Sequence, residues 1–190
     1  MTMQLSRPTA QRTDARLLAG GEWIDGPMHN KVQLDKGLAL VEDARRRGAT
    51  VENVGTVTDE QLVASGYYMR PSVVTNIAAD APLVAEEQFC PSVPIIVYDD
   101  LDAALAQAND SIYGLGGSIW SKDVDRALEL GTRIASGTIW INTHGTGAIN
   151  RRAPYGGVKQ SGIGRKSGLE GVLDYLQLQT ISSFEKTYAK

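Results

Sequence analysis

Cysteine and histidine are scarce in this sequence, and their scarcity excludes several kinds of site. Cys90 is the single cysteine, so it has no partner for an internal disulfide. The sequence has two histidines, His29 and His144. One cysteine and two histidines are too few ligands for a Cys/His zinc cluster. We therefore expect no metal centre, and a lone thiol is consistent with the reducing cytoplasm.

Long apolar runs and an excess of positive charge are also missing. No run approaches the roughly 20 apolar residues needed to span a bilayer, and the N-terminus lacks the apolar region of a secretory signal. The formal net charge is −3 at pH 7. We therefore expect a cytoplasmic protein whose partners include neither membrane nor nucleic acid.

The residues that are present describe an ordinary globular chain. Of its 190 residues, 42% are hydrophobic and 22% are charged, which matches neither a disordered nor a fibrous composition. A chain of this length buries roughly 70% of its unfolded surface on folding. One folded core is the default expectation.

The N-terminal 26 residues differ in pattern from the remainder. Met1 to Arg16 predicts a loose tail, and Leu17 to Ile24 predicts a short strand or ribbon that ends in the turn Asp25-Gly26-Pro27.

A helix is predicted from Lys31 to Arg47 by apolar residues at helical spacing. Its terminal arginines suit the negative end of the helix dipole, an interpretation that we prefer to a nucleic-acid patch.

Strands and helices then alternate, which predicts an α/β fold with a partly parallel sheet flanked by helices. The predicted helices cover 101–109, with Asp100 as N-cap, and 123–134. The predicted strands cover 67–77, 93–98, 116–120 and 137–142. The strand at 93–98 is nearly all apolar, which is typical of a strand covered on both faces.

The C-terminal third combines a glycine-rich loop with a helix and an alternating tail. Glycines crowd residues 143–168, here called the glycine-rich loop, and indicate unusual or closely packed backbone. A helix is predicted from Arg165 to Tyr175. A tail strand is predicted at 176–182, where one set of alternate residues is Leu176, Leu178, Thr180 and Ser182 and the other is Gln177, Gln179 and Ile181. Such a strand extends its own sheet or joins a neighbouring subunit, so we expect a homo-oligomer.

Two motifs suggest chemistry but lack the required context. Gly162-Ile163-Gly164 with Gly168 resembles a dinucleotide fingerprint, yet the last glycine is one place too late and no strand leads into it. Asp110, Ser111 and His144 have the residue types of a hydrolase triad, but Ser111 lies outside a G-x-S-x-G elbow. We assign neither function.

A series of motifs in a fixed order carries a family resemblance. They are Gly66-Tyr67-Tyr68-Met69-Arg70-Pro71-Ser72-Val73, Glu86-Glu87-Gln88-Phe89-Cys90-Pro91, Asn109-Asp110-Ser111-Ile112-Tyr113-Gly114-Leu115, Gly137-Thr138-Ile139-Trp140-Ile141-Asn142 and Pro154-Tyr155-Gly156-Gly157-Val158-Lys159-Gln160-Ser161-Gly162-Ile163-Gly164-Arg165. This order resembles the C-terminal part of the aldehyde dehydrogenase superfamily. The resemblance runs from about Pro27 to Phe184.

The resemblance implies a shortened version of the family's catalytic domain. Gly20 to Gly26 is similar to the ribbon at the start of such enzymes, whereas the sequence from Pro27 is similar to the segment after their catalytic cysteine. We therefore expect residues 1–26 to form a tail and ribbon and residues 27–190 to form a remnant of the catalytic domain. The nucleophile, the general base and most of the nucleotide-binding domain are expected to be missing.

The resemblance also implies roles for individual residues. Glu87 corresponds to the glutamate that binds the nicotinamide ribose and Phe89 to the aromatic residue beside the nicotinamide, so NAD or NADP is the implied cofactor. His144 and Tyr155 correspond to one wall of the aldehyde tunnel. Because most of the cofactor site is expected to be absent, tight binding is not expected.

Cys90 occupies a place where the family pattern has glycine, which leaves two interpretations. It is either a relocated nucleophile or a small apolar filler, and we favour the filler. The charges of Glu86 and Glu87 are expected to raise its pKa and lower its reactivity.

The sequence leaves three hypotheses for the function. In the first, the chain is an impaired family member. In the second, it is a module that assembles with itself or with a full-length aldehyde dehydrogenase, and in the third it is a weak thiol-dependent esterase.

Overall fold

The computed structural model describes residues 2–4, 17–19, 22–24, 28–55, 57 and 60–182. The chain divides into two compact units. The first unit is Pro8–Gln107, and the second combines Met1–Arg7 with Ala108–Lys190.

The described elements follow one another in mixed α/β order. They are β1 (Thr2–Gln4), β2 (Leu17–Ala19), β3 (Glu22–Ile24), α1 (Lys31–Arg46), β4 (Thr50–Asn53), α2 (Glu60–Ser65), β5 (Ser72–Thr75), α3 (Pro82–Ala85), β6 (Ser92–Pro94), α4 (Leu101–Asn109), β7 (Gly116–Trp120), α5 (Val124–Gly131), β8 (Thr138–Ile141) and α6 (Gly168–Leu173). The α/β fold class is therefore confirmed.

Helix α1 is the main helix of the first unit and confirms the prediction for that segment. It begins after Asn30, whose side chain accepts a hydrogen bond from the backbone N–H of Gln33 at 3.0 Å. Its last turn contains Arg45 and Arg46, at the end where cations are favoured. Its buried face packs into the core of the unit, which consists of Met28, Leu40, Val41, Ala44, Met69, Val74, Ile77, Ala81 and Leu83.

The sheet of the first unit has the order β4-β5-β6, with β4 antiparallel and β6 parallel to β5. Ser72 of β5 lies opposite Ser92 of β6, and both residues are only 2% exposed. Their hydroxyls are 2.6 Å apart, so each buried polar group satisfies the other. This bond ties the segment after Cys90 to the centre of the sheet.

The prediction of a strand at 93–98 covered on both faces is wrong. The strand spans only Ser92–Pro94, and the alternate residues Val93, Ile95 and Val97 are 58%, 44% and 88% exposed. Side chains of successive strand residues point to opposite faces, so only one face meets the core. A continuous apolar pattern does not reveal whether a second layer is present.

In the second unit the sheet order is β1-β7-β8, and both pairings are parallel. Helix α5 connects β7 to β8, so the predicted parallel strands with a helical crossover are confirmed here. Asp123 caps α5 by accepting from the backbone N–H of Arg126 at 2.9 Å. Strand β1 corrects the prediction of a loose tail at Thr2–Gln4, because backbone pairing with β7 orders that segment.

The other terminal predictions have mixed outcomes. Strands β2 and β3 pair antiparallel and confirm the ribbon, whereas the predicted turn at 25–27 and residues 5–16 lie outside the described residues. Asp100 caps α4 as predicted, accepting from the backbone N–H of Ala103 at 2.6 Å. Helix α6 is shorter than predicted.

The prediction of a tail strand at 176–182 is wrong for the single chain, where these residues form no strand. Alternation alone does not make a strand, because a strand needs a hydrogen-bonded neighbour, and no described strand pairs with this segment. Among the described helices, none combines the length and the apolar character required to cross a membrane.

Candidate functional site

The segment that carries Glu87 and Phe89 leaves helix α3 and lies on the surface of the first unit. Lys36 on α1 fixes its backbone, because the ammonium group donates to the carbonyl oxygen of Glu87 at 3.2 Å and pairs with the Glu86 carboxylate at 3.3 Å. The side chain of Glu87 is exposed, and Phe89 is 71% exposed. Both side chains are therefore accessible to a ligand.

Cys90 is half-buried and lies against the core of the first unit. Its backbone N–H and its Sγ both donate to the Oε1 atom of Gln88, at 2.9 and 2.7 Å, and the Gln88 amide donates to the carbonyl oxygen of Ser92 at 3.0 Å. The thiol lies beside Gly37 of α1, where an added Cβ would be 2.7 Å from the Cβ of Cys90. The side chain thus fills space against the core of the unit.

Burial raises the pKa of the Cys90 thiol, while hydrogen bonds with Ser92 and the positive charge of Lys36 act in the opposite direction. The expected direction is therefore correct, but the expected cause is wrong. The charges of Glu86 and Glu87 are not among the causes, and the charge that acts on the thiol is the Lys36 cation. A raised pKa leaves less thiolate at neutral pH.

In the second unit, close backbone contacts fix the glycine-rich loop against β8. The carbonyl oxygen of Gly114 accepts from the backbone N–H groups of Gly137 and Val158, each at 3.0 Å. A Cβ on Gly137 would overlap the carbonyl oxygen of Gly156. Glycine is required at Gly137 because another backbone occupies the space of a side chain.

Trp140 of β8 positions the part of the loop that contains His144. Its indole N–H donates to the carbonyl oxygen of Ala148 at 3.1 Å. Its ring meets the His144 ring edge to face, with centroids 5.1 Å apart. Trp140 is 9% exposed, whereas His144 is exposed, so a buried anchor holds an accessible imidazole.

Tyr155 lies on a short antiparallel ribbon within the loop. Its backbone exchanges two hydrogen bonds with Lys166, at 2.7 and 2.8 Å. The Lys166 ammonium lies 5.6 Å from the centroid of the Tyr155 ring, within range of a cation–π interaction. These contacts hold the Tyr155 ring in place, and the residue is half-buried.

Two asparagines of the family motifs have structural roles that the motifs themselves do not reveal. Asn109 donates to the carbonyl oxygen of Arg133 at 2.8 Å and accepts from the N–H of Ala135 at 2.7 Å. Asn142, with φ of 54°, bonds both the N–H and the C=O of Ser121 at 2.8 Å. Each side-chain amide bonds one backbone N–H and one backbone C=O group, as a neighbouring strand does. Both asparagines follow or end a helix or strand, and this position was the sequence signal that could have indicated the role.

The two motifs to which we assigned no function both lie at turns. A 3-10 turn at Lys159–Ser161, not a strand, leads into Gly162. The Ser111 hydroxyl accepts from the backbone N–H of Tyr113 at 3.1 Å, as in a simple turn. Among the described residues there is no group of three or more His, Cys, Asp or Glu side chains that could hold a metal ion.

The residues implied by the resemblance are thus distributed over both units. Glu87, Phe89 and Cys90 belong to one short segment of the first unit, and His144 and Tyr155 belong to the loop of the second unit. Each unit presents its own set of accessible side chains on a fixed backbone.

Comparison with known proteins identifies the class to which this α/β fold and these loops belong. The model of the aldehyde dehydrogenase family matches residues 18–181. A betaine aldehyde dehydrogenase of Brucella anthropi is 34% identical over 156 residues, which cover 82% of this chain and 32% of the relative. Human aldehyde dehydrogenase 1A1 is 32% identical, with 83% of this chain and 30% of the relative covered.

Solved structures give the same result. Betaine aldehyde dehydrogenase from Staphylococcus aureus in complex with NAD+ has a TM-score of 0.71 and 36% identity, covering 79% of this chain and 29% of that one. Mycobacterium tuberculosis aldehyde dehydrogenase complexed with NAD+ has a TM-score of 0.72 and 35% identity, covering 80% and 30%. The chain belongs to the aldehyde dehydrogenase family and spans about a third of the length of these relatives.

Proposed function

We propose that this chain keeps part of the ligand-contacting surface of an aldehyde dehydrogenase but does not oxidise aldehydes alone. The family reaction is the NAD(P)+-dependent oxidation of an aldehyde to a carboxylic acid. It needs a thiolate that attacks the carbonyl, donors for the resulting oxyanion, a hydride acceptor and a base that activates water. In this proposal the thiolate and the nucleotide-binding domain come from another chain or are lost.

The packing of Cys90 is the observation that carries this proposal. A nucleophilic thiol needs a lowered pKa and a path to the substrate, whereas burial raises the pKa of Cys90 and its side chain fills space beside Gly37. Cys90 is the only thiol in the chain. A covalent intermediate therefore has no activated sulfur on which to form.

The cofactor contacts in this proposal are limited to Glu87 and Phe89. Their exposed side chains suit a ribose hydroxyl and the face of a nicotinamide ring. A charged hydrogen bond contributes about 1.5–3 kcal/mol, whereas micromolar affinity needs about 8 kcal/mol. We therefore expect weak binding of NAD+ or NADP+, and a micromolar dissociation constant by calorimetry would contradict this.

His144 and Tyr155 provide the proposed wall of the aldehyde site. The loop holds both on an anchored backbone, through Trp140 for His144 and through the paired Lys166 for Tyr155. Such positioning orients a substrate without taking part in bond formation. On this proposal the chain contributes binding and orientation, not the chemical step.

Steady-state turnover tests the proposal. The purified protein is assayed with a panel of aldehydes, with NAD+ and NADP+ separately, against a full-length family member at equal molar concentration of chains. We expect no reduction of the cofactor above the uncatalysed rate. Turnover that disappears in Cys90→Ala would contradict the proposal and make Cys90 the nucleophile.

Self-assembly is a second candidate function, favoured by the apolar surface that the single chain leaves exposed. The exposed apolar residues of α6 and the tail are Leu169, Val172, Leu173, Tyr175, Leu176, Leu178 and Ile181. Contiguous exposure of this kind is typical of an interface. We propose a second copy as the occupant, so a homo-oligomer forms, and a full-length aldehyde dehydrogenase as the competing partner.

Light scattering after size exclusion measures the oligomer directly. We expect the wild-type chain to be larger than a monomer, and we expect Leu176→Ser with Leu178→Ser to shift it towards monomer. Val97→Ser, at an exposed apolar residue outside the tail, is the control that leaves the mass unchanged. A strictly monomeric wild type would contradict self-assembly, and capture of a full-length homologue would favour the other partner.

A weak thiol-dependent esterase based on Cys90 is the third candidate function, and the half-buried position and raised pKa of the thiol weigh against it. An assay with an activated phenyl ester decides it. Activity that is lost in Cys90→Ala would support the esterase, and equal rates in both proteins would end it.

A further inference from the structure

The glycine-rich loop has a charge pattern unlike that of the chain as a whole. The chain has 19 Lys and Arg against 22 Asp and Glu. Within residues 143–168 there is no Asp or Glu, and the cations are Arg151, Arg152, Lys159, Arg165 and Lys166. The loop is therefore a local region of positive charge on an acidic protein.

Two of these cations donate hydrogen bonds to backbone carbonyl oxygens. Lys159 donates to the carbonyl oxygen of Asn109 at 2.7 Å. Arg165 donates to the carbonyl oxygens of Gly157 and Gly164 at 2.8 and 2.9 Å. Their positive charge contributes to the field of the loop, but their donors are largely used in holding it together.

The other three cations lie in or beside the short backbone pairing of Tyr155 with Lys166, with Arg151 and Arg152 in the turn that precedes it. Tyr155 pairs with Lys166, and two residues beyond Lys166 the N–H of Gly168 donates to the carbonyl oxygen of Arg151 at 3.2 Å. The side chains of Arg151, Arg152 and Lys166 are exposed. Within the described part of the chain, no ion pair joins any of the three to a carboxylate, in contrast to the arginines of α1.

Two acids lie close to the backbone of this part of the loop. The Glu170 carboxylate is 3.1 Å from the place where a Cβ of Gly168 would lie, and the Asp174 carboxylate is 3.8 Å from the corresponding place at Gly164. Neither forms an ion pair with the three cations. The region keeps a net positive charge next to Tyr155.

We propose that the exposed cations Arg151, Arg152 and Lys166 bind the anionic group of a small ligand, and that the aldehyde taken by this loop is one that carries a carboxylate or a phosphate. The substrate part of this inference rests on the proposed function of His144 and Tyr155 as an aldehyde-site wall. Arginine forks match both anions with two parallel hydrogen bonds. A cationic or uncharged aldehyde gains nothing from these side chains.

Binding to the isolated protein tests the anion site without a thiol or a cofactor. Succinate, inorganic phosphate, the uncharged succinamide and the cation choline are titrated separately into isotope-labelled protein at low ionic strength. We expect succinate or phosphate to shift the amide signals of Arg152, Lys166 and Gly168, and the tighter of the two identifies the anionic group. Equal effects from choline or succinamide, or no shifts at these residues, would overturn the proposal.

Single substitutions separate the site from general charge effects. Arg151→Gln, Arg152→Gln and Lys166→Gln should each weaken binding of the anion by about tenfold, which corresponds to about 1.4 kcal/mol. Lys122→Gln removes an exposed cation elsewhere in the same unit and should change binding less than about twofold. Arg151→Lys keeps the charge but lacks the two-pronged donor, so it should weaken binding less than Arg151→Gln does.

These measurements also separate the two proposals. Anion binding with no aldehyde oxidation supports both, whereas oxidation without anion binding overturns both. Equal affinity in Arg151→Gln, Arg152→Gln and wild type would overturn the anion site and leave the proposed loss of the nucleophile unaffected. A thermal melt of each variant confirms that it is folded.

Discussion

Gly37 and Cys90 are packed so closely that a methyl group on Gly37 would place its carbon 2.7 Å from the Cβ and 3.2 Å from the Sγ of Cys90. Glycine in the middle of α1 is unfavourable for the helix by about 1 kcal/mol relative to alanine. Its presence makes room for the thiol. The two positions should therefore be coupled in stability.

A double-mutant cycle measures this coupling. Gly37→Ala alone should lower the free energy of unfolding by about 1–3 kcal/mol because of overpacking. In a Cys90→Gly background the same change should raise it by up to about 1 kcal/mol through helix propensity. Ala39→Gly, at an exposed position of α1, calibrates the propensity alone. Equal effects of Gly37→Ala in both backgrounds would show that the positions are independent.

The pKa of Cys90 predicts slow and pH-shifted alkylation. Because burial raises the pKa, the thiolate fraction at any pH is lower than that of a free thiol, whose pKa is about 8.5. The rate of iodoacetamide labelling should therefore have its midpoint at higher pH in the folded protein than in urea. A folded-state midpoint at or below that of the unfolded chain would contradict this.

The same raised pKa gives a sign to the pH dependence of stability. The native state holds the Cys90 proton more tightly than the unfolded state, so this contribution is fully present below the unfolded pKa. It is lost as the pH rises through the folded pKa. Denaturant unfolding of wild type and Cys90→Ala across alkaline pH should show a steeper loss for wild type, and parallel curves would count against it.

Packing of the glycine-rich loop predicts a sharp contrast between two glycines. A Cβ on Gly137 overlaps the carbonyl oxygen of Gly156, whereas a Cβ on Gly147 has nothing within 4 Å. Gly137→Ala should cost about 1–3 kcal/mol or more, and Gly147→Ala should stay within about 0.5 kcal/mol of wild type. Thermal unfolding provides the comparison, and similar costs at both positions would refute the packing.

The buried hydroxyl pair in the first unit predicts non-additive effects. Ser92→Ala leaves the buried Ser72 hydroxyl without its partner, at a cost of about 1–3 kcal/mol, and Ser72→Ala removes the same bond from the other side. Removing both hydroxyls should cost clearly less than the sum of the single changes. A double variant whose loss equals that sum would show that the 2.6 Å bond carries no coupling.

Local signals explain which elements the sequence could predict. Helix α1 and the β7-α5-β8 unit follow from apolar spacing, cap residues and short connections, all of which lie close together in the chain. Strand β4 was not predicted, because Thr50–Asn53 is short and mostly polar and is defined by its pairing with β5. Whether a second layer covers residues 93–98, and whether a strand pairs with residues 176–182, depends on other parts of the molecule. The local pattern of apolar and polar residues does not describe those parts.

The site shows the same division. The motif order identified Glu87, Phe89, His144 and Tyr155 as positions of interest, but it did not show how each is held. The supports lie far along the chain, such as Lys36, which holds the backbone at Glu87. Only the folded backbone brings such pairs together.

A single-turnover experiment tests the central claim most directly, because hydride transfer needs the thiolate but not the base that hydrolyses the thioester. A high concentration of the protein is mixed with excess NAD+ or NADP+ and an aldehyde that carries a carboxylate, and reduced cofactor is counted per chain. We predict none above the protein-free control. About one reduced cofactor per chain, abolished by Cys90→Ala, would contradict the account.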